Sequence, residues 1–313
     1  MKSKLTGLIA APFTPMLEDG SLNLPMIETQ ANALSASGVQ GAFICGTTGE
    51  GLSLTTEERL LVAEKWVATA PPQLRVIVHV GHNSLKESCE LAAHAEHIGA
   101  HAIATMGSNF FRPANVEQLV QYCMEIAAAA PSLPFYFYHM PAMTGINFSM
   151  LDFLMTAGNR IPNLAGIKFT HENLMDYSQC VHFEEGRFNI LFGRDEILLG
   201  SLAMGANGAV GSTYNYIAPV YLQLMTAFNA GDIRTARQHQ LFAIEIISIM
   251  IRHGGLPAAK AIMKMIGIDC GPVRAPLQNL SAKQKEDLRQ ELKQAGMFSF
   301  LRQSGSTTPL AMA

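Results

Sequence analysis

Eight short apolar runs, each separated from the next by room for one helix, predict an α/β fold, a (β/α)8 TIM barrel with a C-terminal helical extension. Most of these runs are near-continuously hydrophobic, as parallel strands covered on both faces have to be. The 313 residues also exceed the roughly 250 of such a barrel, which leaves chain for extra helices. The expected division is a barrel over 1–225, helices packed on it over 226–300 and a flexible tail over 301–313.

In order, the runs are "GLIAAPFTP", "GVQGAFICG", "LRVIVHVGH", "AHAIATMGS", "PFYFYHMP", "NLAGIKFT", "RFNILFGRD" and "ANGAVGSTY". Their ends, taken at Pro15, Gly46, Gly81, Gly107, Pro141, Thr170, Asp195 and Ser212, stand 17 to 35 residues apart. "TEERLLVAEKWVATA" shows what fills a step. Thr55 or Thr56 caps it, and acids crowd its first turn, where the helix dipole favours them. "DEILLGSLAMG" fills the shortest step. From about Ile217 the chain reads as helices. "PVYLQLMTAFNAG" is the last barrel helix, followed by "IRTARQHQLFAIEIISIMIRHG", "PAAKAIMKMIG" and "AKQKEDLRQELKQAG". A doubly wound sheet is the rival fold. It wants G-x-G-x-x-G after the first strand, where "APFTP" stands instead, and the later "GANGAVG" has the wrong spacing.

Composition narrows the function classes. At 49% hydrophobic and 15% charged, the chain has material for a large core. Its net charge of −3 comes without a block of like charge, so no nucleic-acid or anionic-membrane partner is expected. No apolar run approaches the roughly 20 residues that cross a bilayer. The opening "MKSKLTGLIAAPFTP" is not a signal peptide, because its apolar core is short and holds Pro12. Cys45, Cys89, Cys123, Cys180 and Cys270 are odd in number and widely spread. They read as reduced core residues of a cytoplasmic protein.

Barrel active sites sit at the C-terminal ends of the strands. In "GIKFT", side-chain alternation puts Gly166, Lys168 and Thr170 on one face and Ile167 and Phe169 on the other. The apolar pair suits the helix-facing side, so Lys168 and Thr170 face the barrel interior. A lysine there either snorkels to a carboxylate or, desolvated and neutral, attacks a carbonyl to form a Schiff base. "PFYFYHMP" aligns Tyr136, Tyr138 and Met140 on one face. Tyr138 is either a core phenol or a proton shuttle beside the lysine. "CGTTGEG" is an ordinary glycine turn or an anion-binding loop to which Thr47 and Thr48 add hydroxyl donors. His94, His97 and His101 share no face, and His79 and His82 lack converging ligands, so no metal site is expected.

These motifs, "GTTGE", "YHMPAMTG", "GIKFT" and "GANGAVGSTYN" in that order, resemble the pyruvate-dependent aldolase family that includes dihydrodipicolinate synthase and N-acetylneuraminate lyase. The resemblance covers nearly the whole chain, and "GTTGEGLSL", "LFGRDE" and "GAVGSTYNY" look most like its lyase branch. It implies that Lys168 forms the Schiff base, Tyr138 is the general acid/base, and Thr47 and Thr48 bind the carboxylate, with Thr47 also on the phenol. Thr170, Gly193, Asp195, Glu196 and Ser212 match the positions that hold the sugar part. The implied reaction is reversible cleavage of N-acetylneuraminate to N-acetylmannosamine and pyruvate, with no metal or organic cofactor and in a homotetramer. Alternatives are an aldolase or dehydratase of another 2-keto sugar acid, a dihydrodipicolinate synthase, or a keto-acid sensor without turnover. Many members of the family place a neighbouring subunit's tyrosine after the fourth strand, where this chain has "SNFFRP", with Phe110 and Phe111. Synthases of the family usually carry an arginine two residues beyond the motif's proline. Here Met143 stands there, and it is expected to pack beside an uncharged aldehyde.

Overall fold

A computed structural model describes residues 4–304. Its strands are β1 (Gly7–Ala10), β2 (Gly41–Ile44), β3 (Arg75–His79), β4 (Ala102–Thr105), β5 (Phe135–His139), β6 (Leu164–Phe169), β7 (Asn189–Phe192) and β8 (Gly208–Gly211). They pair in parallel, each with the next, and β8 closes on β1. Each strand lies inside the apolar run that predicted it. Closure excludes the doubly wound sheet, and it leaves no strand with a free edge.

The barrel helices are α1 (Pro25–Ala36), α2 (Thr56–Thr69), α3 (Leu85–His97), α4 (Val116–Ala128), α5 (Pro141–Thr144), α6 (Met150–Ala157), α7 (Leu174–His182), α8 (Leu198–Ala203) and α9 (Tyr214–Asn229). Of the two threonines offered as a cap, Thr55 takes the role. Its hydroxyl accepts from the Glu58 amide while Glu58 reaches back to the Thr55 amide. The last barrel helix, α9, starts earlier than its apolar pattern suggests. Tyr214 opens it, and the backbone breaks at Ile217, just before Pro219.

Beyond the barrel come α10 (Ile233–Arg252), α11 (Leu256–Met265), α12 (Ala282–Gln294) and α13 (Met297–Gln303). The stretch expected as a tail begins inside α13, where Leu301 is buried; residues 305–313 lie outside the described residues. No single helix among the described residues is long and apolar enough to cross a membrane.

Strand parity divides the core in two. Ile9, Phe43, Ile77, Tyr136, Tyr138, Leu191 and Val210 fill the barrel interior. Phe135, Phe137, Ile167 and Phe169 point outward and pack under the helices. The alternation read in "GIKFT" and "PFYFYHMP" is therefore the alternation observed.

Candidate active site

β5 and β6 pair so that Tyr138 stands directly beside Lys168. Lys168 is only 4% exposed. Its Nζ lies 3.9 Å from the centroids of both the Phe43 and the Tyr138 ring, and it forms no ion pair with a described residue. Burial brings its pKa from 10.5 down to about 7, against a weaker opposing pull from the Asp195 carboxylate. A fall of that size corresponds to about 5 kcal/mol. Attraction of the ammonium to the two ring faces supplies about 0.5–2 kcal/mol, too little to reverse it. The result is an amine with a substantial neutral fraction near neutral pH, able to attack a carbonyl.

The Tyr138 hydroxyl lies 3.2 Å from Thr47 Oγ1 and 2.9 Å from Met140 Sδ. Burial pushes the phenol up to about 12, against the Thr47 hydrogen bond, so it holds its proton at neutral pH. The pair at the barrel centre is thus an amine and a phenol that both rest uncharged in mildly alkaline solution. That is the protonation pattern needed to form an imine and then relay a proton.

The ends of β7 and β8 supply the other wall. Asp195 is buried and accepts hydrogen bonds from the Thr213 amide at 3.0 Å and the Thr213 hydroxyl at 2.6 Å. Burial raises its carboxyl to about 6 in spite of these donors. The carboxylate joins β7 to β8; it does not cap the helical turn that follows. Two glycines keep this wall open. A Cβ on Gly193 would sit 2.0 Å from Thr170 Oγ1, and one on Gly211 would sit 1.9 Å from Asp195 Oδ1. Outside them, Arg194 pairs with Glu196 at 3.1 Å and also with Glu172.

One cavity of about 260 Å³ is lined by Thr47, Thr48, Tyr138, Lys168, Thr170, Gly193, Asp195, Glu196 and Ser212 together. Met143 apart, every residue singled out from sequence as a site residue is among them. Ile247, Met250 and Ile251 of α10 also line it. The C-terminal extension is therefore part of the site wall, a contribution the apolar periodicity of α10 does not reveal.

Two further residues escaped sequence reasoning. The loop that carries Thr47 and Thr48 begins at Cys45 (φ 55°) and ends at Glu50 (φ 53°), left-handed conformations that cost free energy for side-chain-bearing residues. Glu50 is buried, and Lys260 Nζ of α11 lies 2.7 Å from its Oε1. Glu50 Oε2 accepts from the Arg274 amide at 2.8 Å, and Lys260 donates to the Pro272 carbonyl at 2.6 Å. The ion pair pins the threonine loop to the C-terminal extension. "PAAKAIMKMIG" sets two lysines among apolar residues, and nothing local in it tells buried Lys260 from exposed Lys264.

Lys260→Met leaves the buried Glu50 charge unpaired. It is expected to cost about 3–5 kcal/mol of stability. The double variant Glu50→Gln, Lys260→Met should recover part of that loss. Thermal unfolding of the single and double variants checks this, and equal unfolding temperatures for Lys260→Met and the unaltered protein would contradict it.

One expectation fails. Met143 does not line the cavity: it sits on α5, 62% exposed. The strand ends at His139, and Met143 falls in the helical turn of α5 that starts at Pro141, on a side turned to solvent. Phe110 and Phe111 are also exposed, ring against ring at 4.9 Å. His94 contacts Glu64, and His101 accepts from the Val76 amide, each within its own local structure.

A closed (β/α)8 barrel with a desolvated lysine and a phenol at its C-terminal mouth defines a class of carbonyl-transforming barrel enzymes. The chain belongs to the dihydrodipicolinate synthetase family, whose model matches residues 4–295. It is 44% identical over 304 residues to the N-acetylneuraminate lyase of Sus scrofa, which spans 96% of this chain and 95% of that relative. The Homo sapiens N-acetylneuraminate lyase is 43% identical over the same shares. Among solved structures, the Proteus mirabilis N-acetylneuraminate lyase superposes with a TM-score of 0.92 at 45% identity, covering 94% of this chain and all 100% of that one.

Proposed function

We infer that the chain is a carbon–carbon lyase that cleaves N-acetylneuraminate reversibly to N-acetylmannosamine and pyruvate by a Schiff-base route. The observation that carries this reading is the desolvated amine of Lys168 beside the Tyr138 phenol in a single cavity. The substrate follows from the relatives, which carry that activity in their names at 43–45% identity.

In the proposed mechanism Lys168 Nζ adds to the C2 ketone of the open-chain sugar acid. The neutral Tyr138 phenol gives its proton to the departing hydroxyl, so that water leaves and a protonated imine faces a phenolate. Thr47 and Thr48 hold the substrate carboxylate. The C4 hydroxyl proton passes to the Tyr138 oxygen by way of the carboxylate and Thr47. The C3–C4 bond breaks, its electron pair moves into the iminium, and N-acetylmannosamine departs. Protonation of the enamine at C3 and hydrolysis of the imine then release pyruvate and restore the amine. Thr170, Gly193, Asp195, Glu196 and Ser212 accept and donate hydrogen bonds along the sugar chain. The proposed groups supply each proton step, so the proposal includes no metal or organic cofactor. The working assembly is a homotetramer in the cytoplasm, and the exposed Phe110–Phe111 pair is an apolar patch that such an assembly would cover.

The mouth bears on the choice between lyase and synthase. Asp195 and Glu196 line it with one guanidinium, that of Arg194, which is also paired with Glu172 outside the lining. A neutral polyhydroxy aldehyde meets hydrogen-bonding carboxylates. An aldehyde that carries its own carboxylate meets like charge, which costs several kcal/mol at close range. Cleavage of N-acetylneuraminate is therefore expected to exceed condensation of pyruvate with aspartate semialdehyde by about 10²-fold or more in kcat/KM. Both rates are measured on one preparation. A faster semialdehyde reaction would reverse the assignment.

A further inference from the structure

The largest cavity among those described is not the catalytic one. It opens at the opposite, N-terminal end of the barrel and measures about 920 Å³. That lies within the range of about 300–1,000 Å³ typical of small-molecule sites. Its depth comes from small side chains in the lowest interior layer, Ala102 and Ala165, where a larger residue would fill the barrel.

Tyr136 and Asn189 form its floor and satisfy each other. The Tyr136 hydroxyl donates to Asn189 Oδ1 at 2.9 Å, and Asn189 Nδ2 donates to the Leu5 carbonyl at 3.1 Å. The catalytic mouth shares none of the residues that line this cavity. Pro131, Pro134 and Pro162 lie in its walls, where fixed backbone angles keep the opening formed without a ligand.

The charge of the lining is one-sided. Lys4, Arg75 and Arg187 contribute to it, and no aspartate or glutamate does, although the chain as a whole carries a net −3. Arg187 is paired with Glu184, outside the lining, at 2.7 Å. Arg75 is different. It is the first residue of β3 and shares strand parity with Ile77, which fills the interior, so its stem is directed into the barrel mouth. Its guanidinium has no hydrogen bond or ion pair with a described residue, and its field reaches both Tyr136 and His101. A half-buried guanidinium in a preformed cavity without acids lacks only an anion of matching geometry.

We propose that this basal cavity is a second ligand site, which binds a small multivalent anion, a phosphate or a di- or tricarboxylate, with Arg75 as its main contact. Its recessed shape selects a small molecule over a nucleic acid or a lipid surface, which need an open basic face. The inference concerns a site apart from the lyase reading and stands whether or not Lys168 forms an imine.

Titration calorimetry with citrate, and separately with inorganic phosphate, tests it on the whole protein in saturating pyruvate, which occupies the carboxylate loop of the catalytic mouth. The expected result is saturable binding of one anion per chain that weakens as salt is raised. Arg75→Ala should weaken it about tenfold or more, the loss expected for one charge-assisted pair. Arg75→Gln, which keeps the aliphatic stem and a polar end and removes the charge, should do the same with the unfolding temperature unchanged. The absence of saturable binding at millimolar anion would overturn the proposal. So would binding that both Arg75 variants retain in full, since the anion would then sit elsewhere.

Discussion

Lys168→Met is expected to abolish turnover, with kcat/KM for N-acetylneuraminate down by about 10⁴-fold or more, the scale on which loss of a covalent nucleophile is felt. The substitution keeps the apolar stem and removes the amine. The site that remains is intact, because the lysine forms no ion pair whose loss would strand a buried partner. Folding should therefore be preserved or improved, since a desolvated amine is replaced by a thioether between two aromatic rings. In the unaltered enzyme the same amine sets the pH profile. With its pKa lowered to about 7, it is neutral above that pH and protonated below it. As pH falls below about 7, kcat/KM should therefore drop roughly tenfold per unit. A flat profile down to pH 5 would place the nucleophile elsewhere.

Tyr138→Phe should lower kcat by about 10²–10⁴-fold, the usual worth of a positioned general acid/base group. Pyruvate should still be captured by Lys168, because imine formation with pyruvate needs the amine and the carboxylate loop but breaks no carbon–carbon bond. Only the Thr47 and Met140 contacts of the hydroxyl are lost, which costs the fold on the order of 1 kcal/mol. Near-normal kcat in this variant would remove the phenol from the reaction. Its isolation makes the test sharp. The position after the fourth strand holds Phe110 and Phe111, so that stretch of the chain has no phenol to take over the relay.

Much of this site was legible in the sequence for a physical reason. Side-chain alternation in a strand is strict, so one apolar run with a lysine in it fixes which face the lysine takes, and Lys168 and Tyr138 were both located that way. Barrel topology then brings strand ends together without further information. The features that stayed hidden depend on contacts between remote segments. Glu50 meets the Arg274 amide across 224 residues of sequence, and no local pattern encodes that meeting. Ile247, Met250 and Ile251 look like any other apolar residues of an amphipathic helix until the helix is docked over the mouth. Met143 was placed by its match to a motif position of the family, and a motif match does not say which way a side chain on the short turn of α5 points. The basal cavity was invisible for a related reason: it is defined by small residues and by missing acids, and neither forms a motif.

The central claim is covalent, and one measurement addresses it directly. The enzyme is incubated with pyruvate and borohydride, digested, and its peptides are analysed by mass spectrometry. A reduced pyruvate adduct on the peptide carrying Lys168, with activity lost in proportion, is the result the account predicts. An adduct on a different lysine, or full activity with no adduct at all, would contradict it.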